Sequence, residues 1–248
     1  MLTQTTAASA QQAAFDSANT LLEEQRYSEA IEAYKSIHEN GQISGALWLN
    51  LGVAYARVDS LGKAKYYLMR ASEYPETEQI AESSLERIES QFSRRSAVLP
   101  MLPWDRLFNF LDEVFGAVGL MVIGLISLNL TAALLLALWF RPNLKLLFRK
   151  LSYVTAALAV MFIGSSVYLN LQEEWYDVGV TVVDRISVYD RPSSNSPVVS
   201  TAFEGYSMRV HTHEELPSSA DASGKDWSYV RLANGLYGWI ESDAILTY

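Results

Sequence analysis

The chain has 248 residues, half of them hydrophobic, and a formal net charge of −9. It contains no cysteine, which excludes disulfides, thiol nucleophiles and Cys-ligated zinc or iron–sulfur sites. The acidic excess disfavours nucleic acid as a partner, because such domains carry a basic footprint that neutralises phosphate.

The charge is unevenly spread. Residues 1–100 carry nine basic and thirteen acidic groups, 101–172 five and three, and 173–248 five and twelve. The middle third is therefore the only basic part, and it is also the most apolar. Residues 1–13 read either as a flexible, small-residue N-terminus or, since Ala8-Ser9-Ala10 resembles a cleavage site, as the remnant of a signal peptide.

Residues 14–95 carry an internal period. Ala18 and Gly52, Leu21 and Tyr55, Ala30 and Ala64, and Tyr34 and Leu68 each stand 34 residues apart. Small residues recurring on two helices let their backbones approach, and aromatics and leucines fill the space around that contact. Residues 76–95 would cap the two pairs, with Ile80, Leu85, Ile88 and Phe92 on a loose helical stripe. Trp48, Leu51, Gly52, Tyr55, Ala64 and Ala71 resemble the signature of the tetratricopeptide (TPR) family, with Pro75 one residue early. The first copy has Ala14 at the Trp position but keeps Ala18, Leu21, Tyr27, Ala30 and Tyr34. The resemblance implies a concave groove lined by the first helix of each pair, at Phe15, Asn19, Leu22 and Glu23 and at Leu49, Val53 and Arg57. Asn19 and Asn50 match the family's carboxylate-clamp variant, but Phe15 stands where that variant needs Lys. An apolar peptide or helix is then the more plausible groove ligand, but the plainer reading is that most of these residues simply pack within the repeat.

Residues 96–113 form a linker and interfacial segment around Pro100 and Pro103. Two uncharged stretches follow, 114–140 and 151–171, each long enough to cross a bilayer as a helix. The loop between them, 141–150, carries Arg141, Lys145, Arg149 and Lys150 and no acid, which predicts a cytoplasmic turn. Both flanking soluble parts then lie outside the cytoplasm, on an inner-membrane protein crossing twice. Ala133 and Ala137 form a small-xxx-small pair suited to close helix contact. No Asp, Glu, His, Lys or Arg falls inside either stretch, so they read as an anchor rather than a transport pathway. Asn129 is the strongly polar residue near mid-membrane, expected to bond to the second span near Ser165 and Ser166 or to another protein's helix.

Residues 178–248 change to short runs rich in Val, Tyr and Trp separated by turn residues, a pattern of short β-strands. Asn234-Gly235 is a hairpin signal. Arg191-Pro192, Gly205 to Val210, Trp227 to Val230, and Gly238-Trp239-Ile240 resemble the bacterial SH3-like family. That resemblance implies a small barrel binding peptides or cell-wall fragments through aromatics, here Tyr189, Tyr206, Trp227, Tyr229 and Trp239. Trp239 is more often a core residue than a groove residue in such domains. His211-Thr212-His213 could share a metal ion on one strand face, though two surface histidines beside a polar loop is the plainer reading, and no metal or cofactor is expected.

The fold class is thus a multi-domain membrane protein: an all-α TPR solenoid, a transmembrane helical hairpin and an all-β SH3-like barrel. This order resembles the E type of the aerotolerance (Bat) operon proteins of the bacterial envelope. The resemblance implies protein partners from the same operon, among them von Willebrand factor A membrane proteins, and no catalytic residues. The expected function is a non-enzymatic, membrane-anchored scaffold in an envelope stress or aerotolerance complex. The alternative is an envelope sensor that binds peptidoglycan or peptide through the SH3-like domain. A Gly-rich phosphate loop and an H-E-x-x-H helix are both missing from the sequence.

Overall fold

The computed structural model describes residues 2–92, 103–140, 142–211 and 225–248. It divides into two compact units, Met1–Leu99 with Asp177–Tyr248, and Pro100–Tyr176. Parts of the chain far apart in sequence therefore fold into the first unit, and the segment between them is the second.

The helical part of the first unit comprises α1 (Leu2–Glu23), α2 (Tyr27–Glu39), α3 (Gly45–Arg57), α4 (Leu61–Ser72) and α5 (Glu78–Glu89). α1 begins at Leu2, so residues 2–13 are part of the first helix. The 34-residue period is present in the backbone itself. Gln25 and Asp59, 34 apart, both take positive φ (62° and 59°) at the turns that lead into α2 and α4. Such values are uncommon for residues other than glycine, so their recurrence marks the same tight turn made twice. Ala18, Ala30 and Ala64 are fully buried, as are Tyr34 and Leu68. A Cβ on Gly52 would lie 2.6 Å from Leu68 Cγ, so hydrogen at this position is what permits the α3–α4 approach. The Ser44 hydroxyl caps α3 by accepting from Leu47 N at 3.1 Å. α5 closes the stack with Ala81 and Ile88 buried.

The sheet has seven antiparallel strands: β1 (Tyr176–Thr181), β2 (Arg185–Tyr189), β3 (Val198–Phe203), β4 (Ser207–His211), β5 (Trp227–Leu232), β6 (Tyr237–Glu241) and β7 (Ile245–Thr247). They are ordered β3-β2-β6-β5-β4-β1-β7. Alternate residues face inward, and Val188, Ala202, Met208, Val210, Val230, Leu232, Ile240 and Ile245 form one core. The β5–β6 hairpin turns where its sequence indicates, with Gly235 at φ 81° and Leu236 N donating to Asn234 Oδ1 at 3.1 Å.

The second unit is a pair of long helices, α6 (Pro103–Phe140) and α7 (Lys145–Trp175), joined by a short 3-10 turn at Pro142–Leu144. Phe110–Phe140 and Lys145–Leu171 are long and apolar enough to cross a membrane, and only 17% and 28% of their most apolar windows are buried. A soluble core pair would be mostly buried; these apolar surfaces face outward. α6 is broken at Gly116, whose φ of 62° and ψ of 164° are not helical. The two helices are in close contact at Gly124, where a Cβ would lie 2.6 Å from Ile163 Cγ1. Ala133, half of the expected small-residue pair, is instead exposed. Thr131 and Thr155 hydroxyls meet at 2.7 Å, and the Ser166 hydroxyl donates to Ala117 O at 2.8 Å.

Candidate functional site

Within the first unit the helical pairs and the sheet share an interface built around α4. Ser60 stands at the N-cap of α4 but makes no side-chain cap. The orphan Gly62 N–H instead donates to Glu204 Oε1, 142 residues away, at 2.8 Å. A carboxylate at a helix N-terminus satisfies a free donor and complements the positive end of the dipole. One turn further, Lys65 Nζ donates to Gly205 O at 3.0 Å and pairs with Glu89 at 3.2 Å. The Tyr66 hydroxyl donates to Thr247 O at 3.0 Å, and its ring meets Tyr248 edge-on at 5.5 Å. Two glycines make this approach possible. A Cβ on Gly62 would lie 2.5 Å from Thr181 O and 2.8 Å from Glu204 Cγ. Gly205, at φ 79°, lies against the Phe92 ring, which a Cβ there would strike.

An aromatic chain continues inward from this interface. Arg70 lies over Trp48 at 4.4 Å and over Tyr248 at 5.7 Å. Tyr67 stacks on Trp48 at 5.7 Å and on Tyr55 at 5.3 Å. Burial raises the phenol pKa of Tyr34 to about 12 and pushes those of Tyr67 and Tyr248 well up, and it also raises the Glu73 carboxyl. Each shift reflects the cost of charging a group removed from water.

The expected groove residues divide into two sets. The Asn19 amide oxygen accepts from the Tyr34 hydroxyl at 2.7 Å and from Asn50 Nδ2 at 2.9 Å, so it ties α1, α2 and α3 together. Phe15, Leu22 and Leu49 are partly buried against the helical core, the Phe15 ring 5.9 Å from Tyr34. Val53 is half-buried, while Glu23 and Arg57 are exposed. The within-repeat packing thus accounts for the apolar members, and a ligand would meet the charged pair. A shallow depression of about 270 Å³ lies nearby, lined by Gln25, Arg26, Tyr27, Ser28, Glu29 and Val58. Arg26 is engaged there by Glu29 (Nε to Oε1, 2.8 Å) and Glu24 at 3.1 Å, and the partnership holds the Glu29 carboxyl below its usual range.

On the sheet, Tyr189 pairs with Trp239 and Trp239 with Tyr229. Their neighbours Val188, Ile240 and Val230 point into the core, so the three aromatics form a row on the opposite face. Tyr229 lies 5.1 Å from Trp239, 5.9 Å from Tyr237 and 6.0 Å from His211. Trp227, on the same face, meets Tyr189 edge-on at 5.5 Å. Trp227 and Trp239 are only 3% and 8% exposed, so the accessible aromatic surface on this face comes mainly from Tyr189, Tyr229 and Tyr237. Tyr206 lies apart, packed on Phe203 and the sheet core. Sequence reasoning passed over Tyr237 and Arg231; their pairing opposite one another in the register and the two-residue spacing from Trp239 and Tyr229 were the available signal.

Asn129 does not bond to the second span. Its Nδ2 donates to Leu125 O in its own helix at 2.8 Å and its side chain is exposed; the polar contacts between the helices come from Thr131, Thr155 and Ser166. His213 lies outside the described residues, and among the described residues no cluster of three or more metal-ligating side chains occurs. Compared with protein-family models, with curated proteins and with solved structures, the chain matches none.

Proposed function

We propose that the chain is a two-pass membrane scaffold whose helical repeats and sheet act as one body on the extracytoplasmic side. The observation that carries this reading is the α4 interface. Helices from residues before the hairpin and strands from residues after it share hydrogen bonds at Gly62–Glu204, Lys65–Gly205 and Tyr66–Thr247. Segments so joined occupy one aqueous compartment, which an even number of membrane crossings allows and an odd number forbids. The basic 141–150 turn supports a cytoplasmic loop and hence an external body.

In this reading the helical pairs are tetratricopeptide repeats and the sheet is an SH3-like barrel. The protein is a non-enzymatic member of the Bat type, docking von Willebrand factor A membrane proteins and other operon products in an envelope stress complex. The exposed Glu23 and Arg57 are the anchors of the repeat surface. A second reading, an envelope sensor for peptidoglycan or peptide, draws support from the row Tyr189–Trp239–Tyr229 on the outer sheet face.

Because the chain lacks cysteine, single cysteines report sidedness without background. Ser28→Cys and Asn195→Cys, both exposed, should react with an impermeant maleimide on intact spheroplasts. Lys150→Cys should react only after lysis. Labelling of Ser28→Cys and Asn195→Cys on opposite sides would overturn the topology and the shared body together.

A further inference from the structure

We propose that residues 103–115 form a separate amphipathic helix lying in the plane of the bilayer surface, its apolar face in the headgroup–acyl boundary. This rests on reading the remainder of α6, together with α7, as the membrane hairpin.

Three observations carry it. The first is the break at Gly116, whose φ and ψ (62°, 164°) fall in a region open essentially only to glycine. The residues after the break, 117–140, span about 36 Å as a helix, enough to cross a core of roughly 30 Å alone. The residues before it are not needed for the crossing.

The second is register. Ala117 O accepts from Ser166, and the Phe108 ring lies 4.5 Å from Tyr168. On a straight helix Phe108 would stand about 13 Å beyond Ala117 along the axis. Its partners on α7 are separated by only about 3 Å of rise. The segment before Gly116 therefore leaves the α6 axis and stays near the depth of Tyr168.

The third is the pattern of faces. At 100° per residue, Leu107, Phe108, Leu111, Val114 and Phe115 fall on one arc, with Phe110 at its edge, while Arg106, Asp112 and Glu113 fall on the opposite arc. Leu107, Phe110, Val114 and Phe115 are 44–56% exposed, an unpartnered apolar surface contiguous with the outward face of the span. Continuity with the hairpin names the occupant: the lipid of the same bilayer. The segment carries one cation, Arg106, against three carboxylates, Asp105, Asp112 and Glu113, so insertion depends on apolar burial and on the tether to the span, not on anionic headgroups.

The test uses the full chain in nanodiscs of phosphatidylcholine, with and without phosphatidylglycerol. Nitroxide is attached to single cysteines at Arg106, Leu107, Leu111, Asp112, Glu113 and Val114, and at Ile126 and Leu136 as reporters of the span. An in-plane helix places Leu107, Leu111 and Val114 at one shallow depth, about 5–10 Å below the headgroups. Arg106, Asp112 and Glu113 should read as water-exposed, and phosphatidylglycerol should change neither result. Depth rising by about 10 Å from Leu107 to Val114 would mean a continuous span, and uniform water exposure would mean a free linker; either result overturns the proposal. Water exposure at Ile126 and Leu136 would instead overturn the hairpin on which it rests. Gly116→Val should turn the flat profile into a slope, with Ile126 and Leu136 still buried in lipid; a profile that stays flat would mean that Gly116 does not set the bend.

Discussion

Gly62→Ala separates local from long-range physics at a single hydrogen atom. In an isolated α4 the change would favour the helix by about 1 kcal/mol, because alanine has the higher propensity. In the assembled first unit the new methyl would lie 2.5 Å from Thr181 O, 2.8 Å from Glu204 Cγ and 3.0 Å from Val182 Cα. Two of those three atoms are backbone, so relief requires the sheet to move away from α4. Movement lengthens the Gly62–Glu204 bond of 2.8 Å, a charge-assisted bond in a class worth about 1.5–3 kcal/mol. Overpacking of this kind costs about 1–3 kcal/mol. With about 1 kcal/mol of the bond's worth lost as well, offset by the propensity gain, the interface should weaken by about 1–3 kcal/mol, which corresponds to roughly 5- to 150-fold more opening. Hydrogen exchange of the full chain in nanodiscs reads this at the Gly62 and Gly205 amides, with the interior of α2 as an unaffected reference. Unchanged or slower exchange at both amides would refute the interface as described.

Gly52→Leu should destabilise the helical pairs by about 2–4 kcal/mol, since the backbone of Leu68 lies only 3.2 Å from the first added carbon; faster exchange throughout α3 and α4 is the readout. Raising the pH should loosen the first unit. The Tyr34 phenol ionises near pH 10 when unfolded and near 12 when folded, so its contribution is complete below pH 10 and is lost as pH rises through 12. Tyr67 and Tyr248 shift in the same direction; tyrosinate absorbance that rises together with loss of ellipticity checks this, and free titration near pH 10 without unfolding would contradict it. Thr131→Val with Thr155→Val should show a coupling of about 0.6 kcal/mol in a double-mutant cycle, the typical size for a hydroxyl pair between membrane helices.

Much of the helical part was legible because its determinants are local and repeat. Small residues 34 apart recur where helices touch, and Ala18, Ala30 and Ala64 are indeed fully buried. Strand alternation and the Asn-Gly turn were legible for the same reason. The α4 interface was not, because Gly62 and Glu204 are joined only when two surfaces are already folded, and neither residue carries a motif. That Asn129 bonds within its own helix and not to the second span was not legible, because counting residues along a span gives depth but not the direction in which a side chain points. The break at Gly116 was hidden by an uninterrupted apolar run, since glycine is common in membrane helices without bending them. Trp227 and Trp239 illustrate a further limit: an aromatic on the outer face of a small sheet can still be nearly covered by its neighbours.

The scaffold reading is tested most directly by cross-linking and affinity purification of the full chain from native membranes, comparing the wild type with Glu23→Lys/Arg57→Glu. Both side chains are exposed, so the double variant should fold and insert as the wild type does. The wild type should recover membrane-anchored partner proteins, and the charge-reversed chain should lose them with its melting temperature and sidedness unchanged. Recovery of the wild-type chain alone, or undiminished partner recovery by the double variant, would contradict the assignment of the repeat surface as the docking site.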